Sequence, residues 1–292
     1  MTAGLETLYP FAPHFIDLPG ARYHYVDEGE GDPVVMVHGN PTWSFYYREL
    51  IRALAPTHRV IAPDHVGCGR SDKPQRYDYT LAQHVQNLEA LIERLDLKRV
   101  TLVLHDWGGP IGMGYATRHP ENVARIVLMN TIAFWIPEIP LRLRFARLPV
   151  VGDVLIRGMN LFLRFALQIA CKHRERLTPD VRAGYLAPYR SYADRVAHLR
   201  FVEDIPVHER HPTYAVLRRI ETGLSALAGR PMLLIWGDRD PIFTPRVLIG
   251  WQRRFPSALV RRLPDAGHWV LEDAPDRVVP WVREFLAAHP VS

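Results

Sequence analysis

The chain has 292 residues, of which 48% are hydrophobic and 23% charged, a composition typical of a globular protein with a large core. We expect no signal peptide, because the first residues, MTAGLETLYPF, contain neither a basic n-region nor an apolar h-region. We also expect no membrane span, because the most apolar long stretch, 150–170, is interrupted by Asp153, Arg157 and Arg164. The two cysteines form neither a disulfide framework nor a metal-binding spacing. We therefore expect a cytoplasmic protein without a bound metal.

The excess positive charge lies in one part of the chain. The net charge is +5, and residues 138–200 alone hold twelve Lys/Arg against five Asp/Glu. The arginines alternate with Leu, Phe and Val at roughly helical spacing, as in LRLRFARL at 141–148. This pattern predicts the solvated side of amphipathic helices and gives no reason to expect a nucleic-acid partner. A surface for an acidic lipid membrane or a partner protein is the open alternative, and oligomerisation is also open.

Short strand-like runs alternate with longer segments of helical spacing. Strands are predicted at 22–29, 34–37, 59–62, 100–104, 124–129, 231–236 and 258–262. Helices are predicted at 43–54, 80–95, 109–118 and 275–288. The alternation, with fully apolar strands, predicts an α/β fold with a mostly parallel sheet and helices on both faces. Residues 133–213 are mainly helical in pattern, so we expect a helical cap inserted into a core formed by 1–132 and 214–292.

Four polar clusters follow predicted strands: HGNP (38–41), HDWGG (105–109), GDRDPIF (237–243) and DAGHW (265–269). The carboxyl ends of parallel strands meet at one edge of a sheet, so these clusters are expected to form one site. In chain order they supply Asp106, Asp240 and His268. Nucleophile, acid and histidine occur in this order in the catalytic triad of the α/β-hydrolase fold. Asp238 is the second candidate for the acid.

Asp106 lies where a strand, a Gly-rich turn and a helix meet, the arrangement of a nucleophile elbow that usually carries serine. A carboxylate is ionised at neutral pH, so it can displace a leaving group from an sp³ carbon without a base and form an alkyl ester. His268 could then take a proton from the water that hydrolyses this ester, while Asp240 orients the imidazolium. A helix-capping aspartate is the structural alternative.

Asn40 and Trp107 are candidates for stabilising the leaving group. The indole N–H of Trp107 can only donate, and Asn40 offers an amide N–H from another loop. Two neutral donors suit a departing halide better than a lysine, whose full charge would hold the product. The backbone N–H groups of the same two residues could form an oxyanion hole. Core packing for Trp107 and turn geometry before Pro41 for Asn40 are the structural alternatives.

The motifs HGNPTWS, PDHVGCGRSDKP, HDWGG, WGDRD and DAGHWVLED resemble those of the haloalkane dehalogenases of the α/β-hydrolase superfamily. The resemblance covers nearly the whole chain. It implies that Asp106 is the nucleophile, that His268 activates water, and that Asn40 and Trp107 bind the halide.

The position of the acid distinguishes subgroups of this family. Some members carry it after the strand that precedes the cap, but this chain has Asn130 there, in VLMNTIAFW. The acid therefore falls to Asp240, as in the third dehalogenase subgroup. That subgroup also resembles the β-lactone decarboxylases of long-chain olefin biosynthesis, which have the same triad.

We expect a cofactor-free hydrolase that cleaves carbon–halogen bonds of a small apolar haloalkane and releases an alcohol and a halide ion. Decarboxylation of a β-lactone is the first alternative. An epoxide hydrolase is the second, because Tyr185, Tyr189, Tyr192 and Tyr214 could supply its two cap tyrosines, although Asn40 argues against it. A catalytically inactive binding module is disfavoured, since all three triad members are present.

Overall fold

The computed structural model describes residues 3–136, 147–148 and 150–291, and its centre is an eight-stranded sheet. The strands are β1 (His14–Leu18), β2 (Ala21–Glu28), β3 (Pro33–Val37), β4 (Arg59–Pro63), β5 (Val100–Asp106), β6 (Val123–Thr131), β7 (Met232–Gly237) and β8 (Leu259–Leu263). Their order in the sheet is β1-β2-β4-β3-β5-β6-β7-β8. The pairs β1–β2 and β2–β4 are antiparallel, and the other five pairs are parallel. The predicted α/β architecture is therefore confirmed.

Burial along the strands follows their place in the sheet. Every residue of β5 and β7 is buried, because helices cover both faces of the central strands. The edge strand β1 has one buried residue among five, and it pairs only with β2. This weak burial explains why the sequence HFIDL gave no strand prediction.

Eleven α-helices are present in the described part of the chain. They are α1 (Ala3–Leu8), α2 (Arg48–Leu54), α3 (Leu81–Arg94), α4 (Gly108–Arg118), α5 (Leu161–Ile169), α6 (Pro179–Leu186), α7 (Val196–Glu203), α8 (Pro212–Gly223), α9 (Pro245–Arg254), α10 (Val270–Asp273) and α11 (Pro275–Ala288). The predicted helix at 80–95 corresponds to α3, whose N-cap Thr80 accepts a hydrogen bond from the backbone N–H of Gln83. The predicted helix at 43–54 is a 3₁₀ turn, Ser44–Tyr47, followed by α2.

Two apolar cores lie on opposite faces of the sheet. Helices α3, α4, α8 and α9 contribute to one core, and helices α2, α5, α6, α10 and α11 contribute to the other. The regular elements described between β6 and β7 are all helical, in line with the expectation for 133–213. The boundaries of a cap at 133 and 213 stay a prediction. Residues 137–146 and 149, which include most of LRLRFARL, lie outside the described residues.

None of the described helices combines the length and the apolar composition needed to cross a lipid bilayer.

Candidate active site

Asp106 is the last residue of β5, two residues beyond the predicted end of this strand, and α4 begins at Gly108. Its φ of 51° lies in the left-handed region, which is unfavourable for a residue with a side chain. The sharp turn leaves no space for neighbouring side chains. A Cβ atom on Gly108 would overlap the carbonyl oxygen of Val37, and one on Gly39 would overlap the Asp106 carboxylate. These contacts explain the need for glycine around the elbow.

The two oxygens of the buried Asp106 carboxylate have different surroundings. Oδ1 accepts a hydrogen bond of 2.7 Å from the backbone N–H of Asn40, and the carboxylate also accepts one from the backbone N–H of Trp107. Oδ2 lies 3.6 Å from Nε2 of His268. Burial raises the pKa of Asp106, but His268, His105 and the backbone donor together lower it below its ordinary value. The carboxylate is therefore ionised at neutral pH.

His268 lies between two carboxylates. Its Nδ1 is 2.7 Å from Oδ2 of Asp240, opposite the side that faces Asp106. Burial lowers the pKa of His268, but the charge of Asp240, the hydrogen bond to it and the proximity of the Asp106 carboxylate raise it to about 10. At neutral pH this residue is accordingly an imidazolium ion.

Asp240 has a partner on each carboxylate oxygen. Oδ1 accepts a hydrogen bond of 2.7 Å from the backbone N–H of Ile242, and Oδ2 accepts one of 2.8 Å from Nδ2 of Asn130. Burial raises the pKa of Asp240, but His268 and these donors outweigh it and lower the pKa. Asp238 points to a different partner, because both of its oxygens contact the guanidinium of Arg262 at 2.9–3.0 Å.

Asn130 belongs to the site in a way that the sequence did not reveal. Its Nδ2 also donates to the carbonyl of Gly237 at 3.1 Å, and its Oδ1 accepts from the N–H of Gly237 at 2.8 Å. Asn130 therefore links the end of β6 to the end of β7 and orients the Asp240 carboxylate. The sequence showed only that a carboxylate is missing at this position.

Asn40 and Trp107 both line the space in front of Asp106. The amide Nδ2 of Asn40 donates to the carbonyl of His198 in α7 at 3.1 Å. An amide has two N–H bonds, so the second one can face a ligand. The indole ring of Trp107 packs against Phe201, with ring centroids 5.2 Å apart. The candidate pair is thus together at the site, and each side chain also contacts the helical segment between β6 and β7.

Two apolar cavities flank the triad. The aspartate cavity has a volume of about 140 Å³ and is lined by Asn40, Asp106, Trp107 and a mainly apolar set that includes Phe134, Trp135 and Leu217. The histidine cavity has a volume of about 510 Å³ and is lined by Asn40, His268, Trp269 and side chains of α5, among them Leu161 and Phe165. Asn40, Phe162 and Ile242 line both cavities. The two spaces therefore adjoin at the catalytic candidates.

The tyrosines needed for epoxide opening are not at this site. Among the described residues, none of the four candidate tyrosines lines either cavity. The hydroxyl of Tyr185 bonds to Glu272 at 2.5 Å, that of Tyr189 accepts from the backbone of Gly69, and that of Tyr192 bonds to Asp153. The geometry gives no support to the epoxide hydrolase alternative.

Comparison with known proteins agrees with this architecture. The profile of the α/β-hydrolase fold family matches residues 32–275. The chain therefore belongs to the α/β-hydrolase family. Two relatives of known family show that, within it, the chain belongs to the group that contains the haloalkane dehalogenases.

A cis-3-alkyl-4-alkyloxetan-2-one decarboxylase of Shewanella oneidensis is 46% identical over 97% of this chain and 90% of its own length. Haloalkane dehalogenase 2 of Mycobacterium bovis is 35% identical over 95% of this chain and 96% of its own length. Among solved structures, a haloalkane dehalogenase of Agrobacterium tumefaciens superposes with a TM-score of 0.87 at 27% identity, covering 96% of this chain and 97% of the other. The relatives support both the dehalogenase expectation and the β-lactone alternative.

Proposed function

We propose that this enzyme decarboxylates β-lactones with cis alkyl groups on the two adjacent sp³ ring carbons, and that residues 133–213 act as a cap over the site. The pair of apolar cavities beside Asp106 and His268 carries this proposal. A cis-dialkyl β-lactone has two alkyl chains that leave neighbouring ring carbons on the same side, so each cavity can take one chain. The decarboxylase relative is also more similar to this chain than the dehalogenase relative, at 46% against 35% identity.

Asp106 is the nucleophile in this proposal. Its Oδ2 attacks the ring carbon that carries the lactone oxygen, the carbon–oxygen bond breaks, and the ring opens to an alkyl ester with a free carboxylate. That carboxylate then leaves as CO₂, and the electron pair of the broken carbon–carbon bond forms the alkene. The bond to Asp106 breaks in the same step and restores its carboxylate. Neither water nor a net proton transfer is required.

The stereochemistry of this route fits a cis product. Displacement by Asp106 inverts the attacked carbon, and an anti elimination then gives a net syn loss of CO₂. A cis ring therefore yields a cis alkene. The imidazolium of His268 and the N–H donors of Asn40 and Trp107 stabilise the negative charge that moves from Asp106 to the substrate carboxylate and back.

Haloalkane dehalogenation is the second candidate, and the environment of Asp106 Oδ1 favours it. When water attacks an ester of Asp106, the oxyanion develops on this oxygen, which already accepts from the N–H of Asn40 at 2.7 Å. Formation of the ester also removes the negative charge of Asp106. The pKa of His268 then falls, because one of the two carboxylates that raise it is neutral, and His268 can act as the base for water.

A comparison of products in ¹⁸O-labelled water tests the proposal. The purified enzyme is incubated separately with a cis-3-alkyl-4-alkyloxetan-2-one and with a 1-bromoalkane of the same chain length. We expect alkene and CO₂ from the lactone, with no labelled hydroxy acid among the products and a kcat/KM well above that for the bromoalkane. A higher kcat/KM for the bromoalkane, with labelled alcohol, would place dehalogenation first. A labelled hydroxy acid from the lactone would exclude the elimination route.

The variant His268→Ala separates the two chemistries within one protein. With the bromoalkane, it should accumulate a stable alkyl ester of Asp106, seen as a mass increase of the intact protein, because hydrolysis needs the base. With the lactone, Asp106 is released by elimination, so slow turnover without an accumulated ester is expected. Normal turnover of the bromoalkane would contradict the role of His268.

A further inference from the structure

The cap carries a concentration of exposed apolar side chains. Of the eleven large apolar side chains that are exposed in the described part of the chain, eight lie between residues 148 and 192. Six of them lie on or beside the helical segment Asp153–Gly158 and on α5, and they define what we call the cap surface: Val150, Val154, Leu155, Met159, Leu161 and Phe165. The segment Asp153–Gly158 and α5 contact each other, which places their exposed side chains in the same part of the molecule. Solvent exposure of this many neighbouring apolar groups is unfavourable unless another apolar phase covers them.

Helix α5 is apolar on both sides. Leu163 and Leu167 are buried in the protein core, whereas Leu161 and Phe165 are exposed by 40% and 49%. Leu155, Leu161 and Phe165 also line the histidine cavity. The cap surface is therefore continuous with the mouth of a cavity that adjoins the catalytic residues.

Basic residues outnumber acidic residues in this region. Residues 154–174 contain four Lys/Arg and no Asp/Glu, and Arg164, Lys172 and Arg174 are exposed. The two acids that flank this stretch both have partners: Asp153 contacts Arg157 at 3.2 Å and the hydroxyl of Tyr192 at 2.9 Å, and Glu175 lies 3.3 Å from Nδ1 of His173. An apolar surface with exposed cations beside it matches a bilayer that contains anionic lipids, because acyl chains cover the apolar groups while headgroups face the cations.

We infer that the cap surface docks on an anionic lipid bilayer, and that dialkyl substrate passes from the bilayer into the histidine cavity without crossing water. The transfer of substrate rests on the proposed function, since each CH₂ group of an alkyl chain makes its release into water less favourable. The docking itself does not depend on catalysis. A membrane-bound enzyme of this kind needs no spanning helix.

Co-sedimentation with vesicles tests the docking. The enzyme should sediment with vesicles of phosphatidylcholine and phosphatidylglycerol, less with phosphatidylcholine alone, and less at high salt. The double variant Val154→Ser/Met159→Ser should weaken vesicle binding about tenfold or more, because it removes exposed apolar groups that do not line either cavity. Arg164→Gln should weaken it about fivefold. Ile249→Ser is the matched control, since Ile249 is 46% exposed on α9, outside the cap.

The outcomes distinguish docking from the proposed function. The double variant should retain wild-type turnover of a short-chain, water-dispersed β-lactone and lose turnover of a long-chain lactone embedded in anionic vesicles. Vesicle binding without lactone turnover would overturn the function and leave docking in place. Absence of binding to any vesicle, or an equal loss in Ile249→Ser, would overturn the docking. Dimerisation that the double variant abolishes, without vesicle binding, would assign the cap surface to a second copy of the chain instead.

Discussion

Two buried aspartates of the same sheet edge lie among histidines, yet their surroundings differ. Asp64, directly after β4, accepts hydrogen bonds from the backbone N–H groups of Ser44 at 2.7 Å and Arg70 at 2.8 Å, and its Oδ2 lies 2.8 Å from His24. Asp106 has backbone donors too, but its Oδ2 faces His268 across 3.6 Å. Asp64 lines neither described cavity, whereas Asp106 lines one. A buried carboxylate becomes a candidate nucleophile when one of its oxygens is accessible to substrate.

The histidines near the two aspartates also differ, because their pKa values are shifted in opposite directions. Burial lowers the pKa of His38 and, more strongly, of His65, so both are neutral next to Asp64. His268 has the opposite shift, because two carboxylates outweigh burial and raise its pKa to about 10. The Asp64 group thus connects and stabilises the loops that carry Asn40, while the Asp106 group holds a charged histidine at a cavity.

The largest expected effect separates the two aspartates. Asp106→Ala should abolish turnover of every substrate, by on the order of 10⁴-fold or more, with little change in the melting temperature. Asp64→Asn should instead lower the free energy of unfolding by about 1–3 kcal/mol, because backbone donors lose a charged acceptor, while the folded protein stays active. Steady-state kinetics and thermal unfolding of both variants are the measurements. If both variants lost the same activity and kept the same stability, the two aspartates would not have different roles.

The second prediction concerns the two acids that follow β7. With a bromoalkane, Asp240→Asn should reduce kcat by on the order of 10⁴-fold, as in other triads whose orienting carboxylate is lost. Asp238→Asn serves as its control and should cost much less, because it breaks only the pair with the partly exposed Arg262. The reverse ranking would mean that Asp238 reaches His268 in solution.

Trp107→Phe tests the leaving-group donor with a smaller expected effect. The change keeps the ring packed against Phe201 and removes only the indole N–H. Loss of one donor at a developing charge costs roughly a hundredfold in rate, and we expect this for alkylation by a bromoalkane. The loss with a β-lactone should be smaller, because the new carboxylate stays attached to the substrate. Equal and small losses would indicate that Trp107 serves packing alone.

The smallest effect lies in the pH dependence of single turnovers with a bromoalkane. Alkylation needs ionised Asp106, whose pKa is lowered, so its rate should be constant between about pH 6 and 9. Ester hydrolysis needs neutral His268, and the pKa of His268 falls when Asp106 becomes a neutral ester. Below this lowered pKa of His268, the rate of ester hydrolysis should decrease about tenfold for each pH unit. Rapid quenching with intact-mass detection follows both steps. A falling alkylation rate towards pH 6 would show that Asp106 becomes protonated in that range.

The sequence predicted the parallel sheet because its central strands are continuous apolar runs, and it predicted a common site because polar clusters follow those runs. It missed β1, whose sequence buries a single residue, and the helix α9, and it ended β5 two residues early. The role of Asn130 was not predictable, since it depends on the distance between the ends of β6 and β7. The second cavity was equally hidden, because α5 lies far from Asn40 and His268 along the chain.

The hydrogen bond from Asn40 to the carbonyl of His198 has a consequence for engineering. The orientation of Asn40, at the edge of the sheet, therefore depends on the position of the α7 backbone, which belongs to another part of the chain. A chimera that exchanged residues 133–213 for those of a relative would keep Asp106, Asp240 and His268, yet it would misorient Asn40 if the replacement helix shifted that carbonyl. Successful exchanges should therefore begin by preserving the backbone position of residue 198 rather than the side chains that face the substrate.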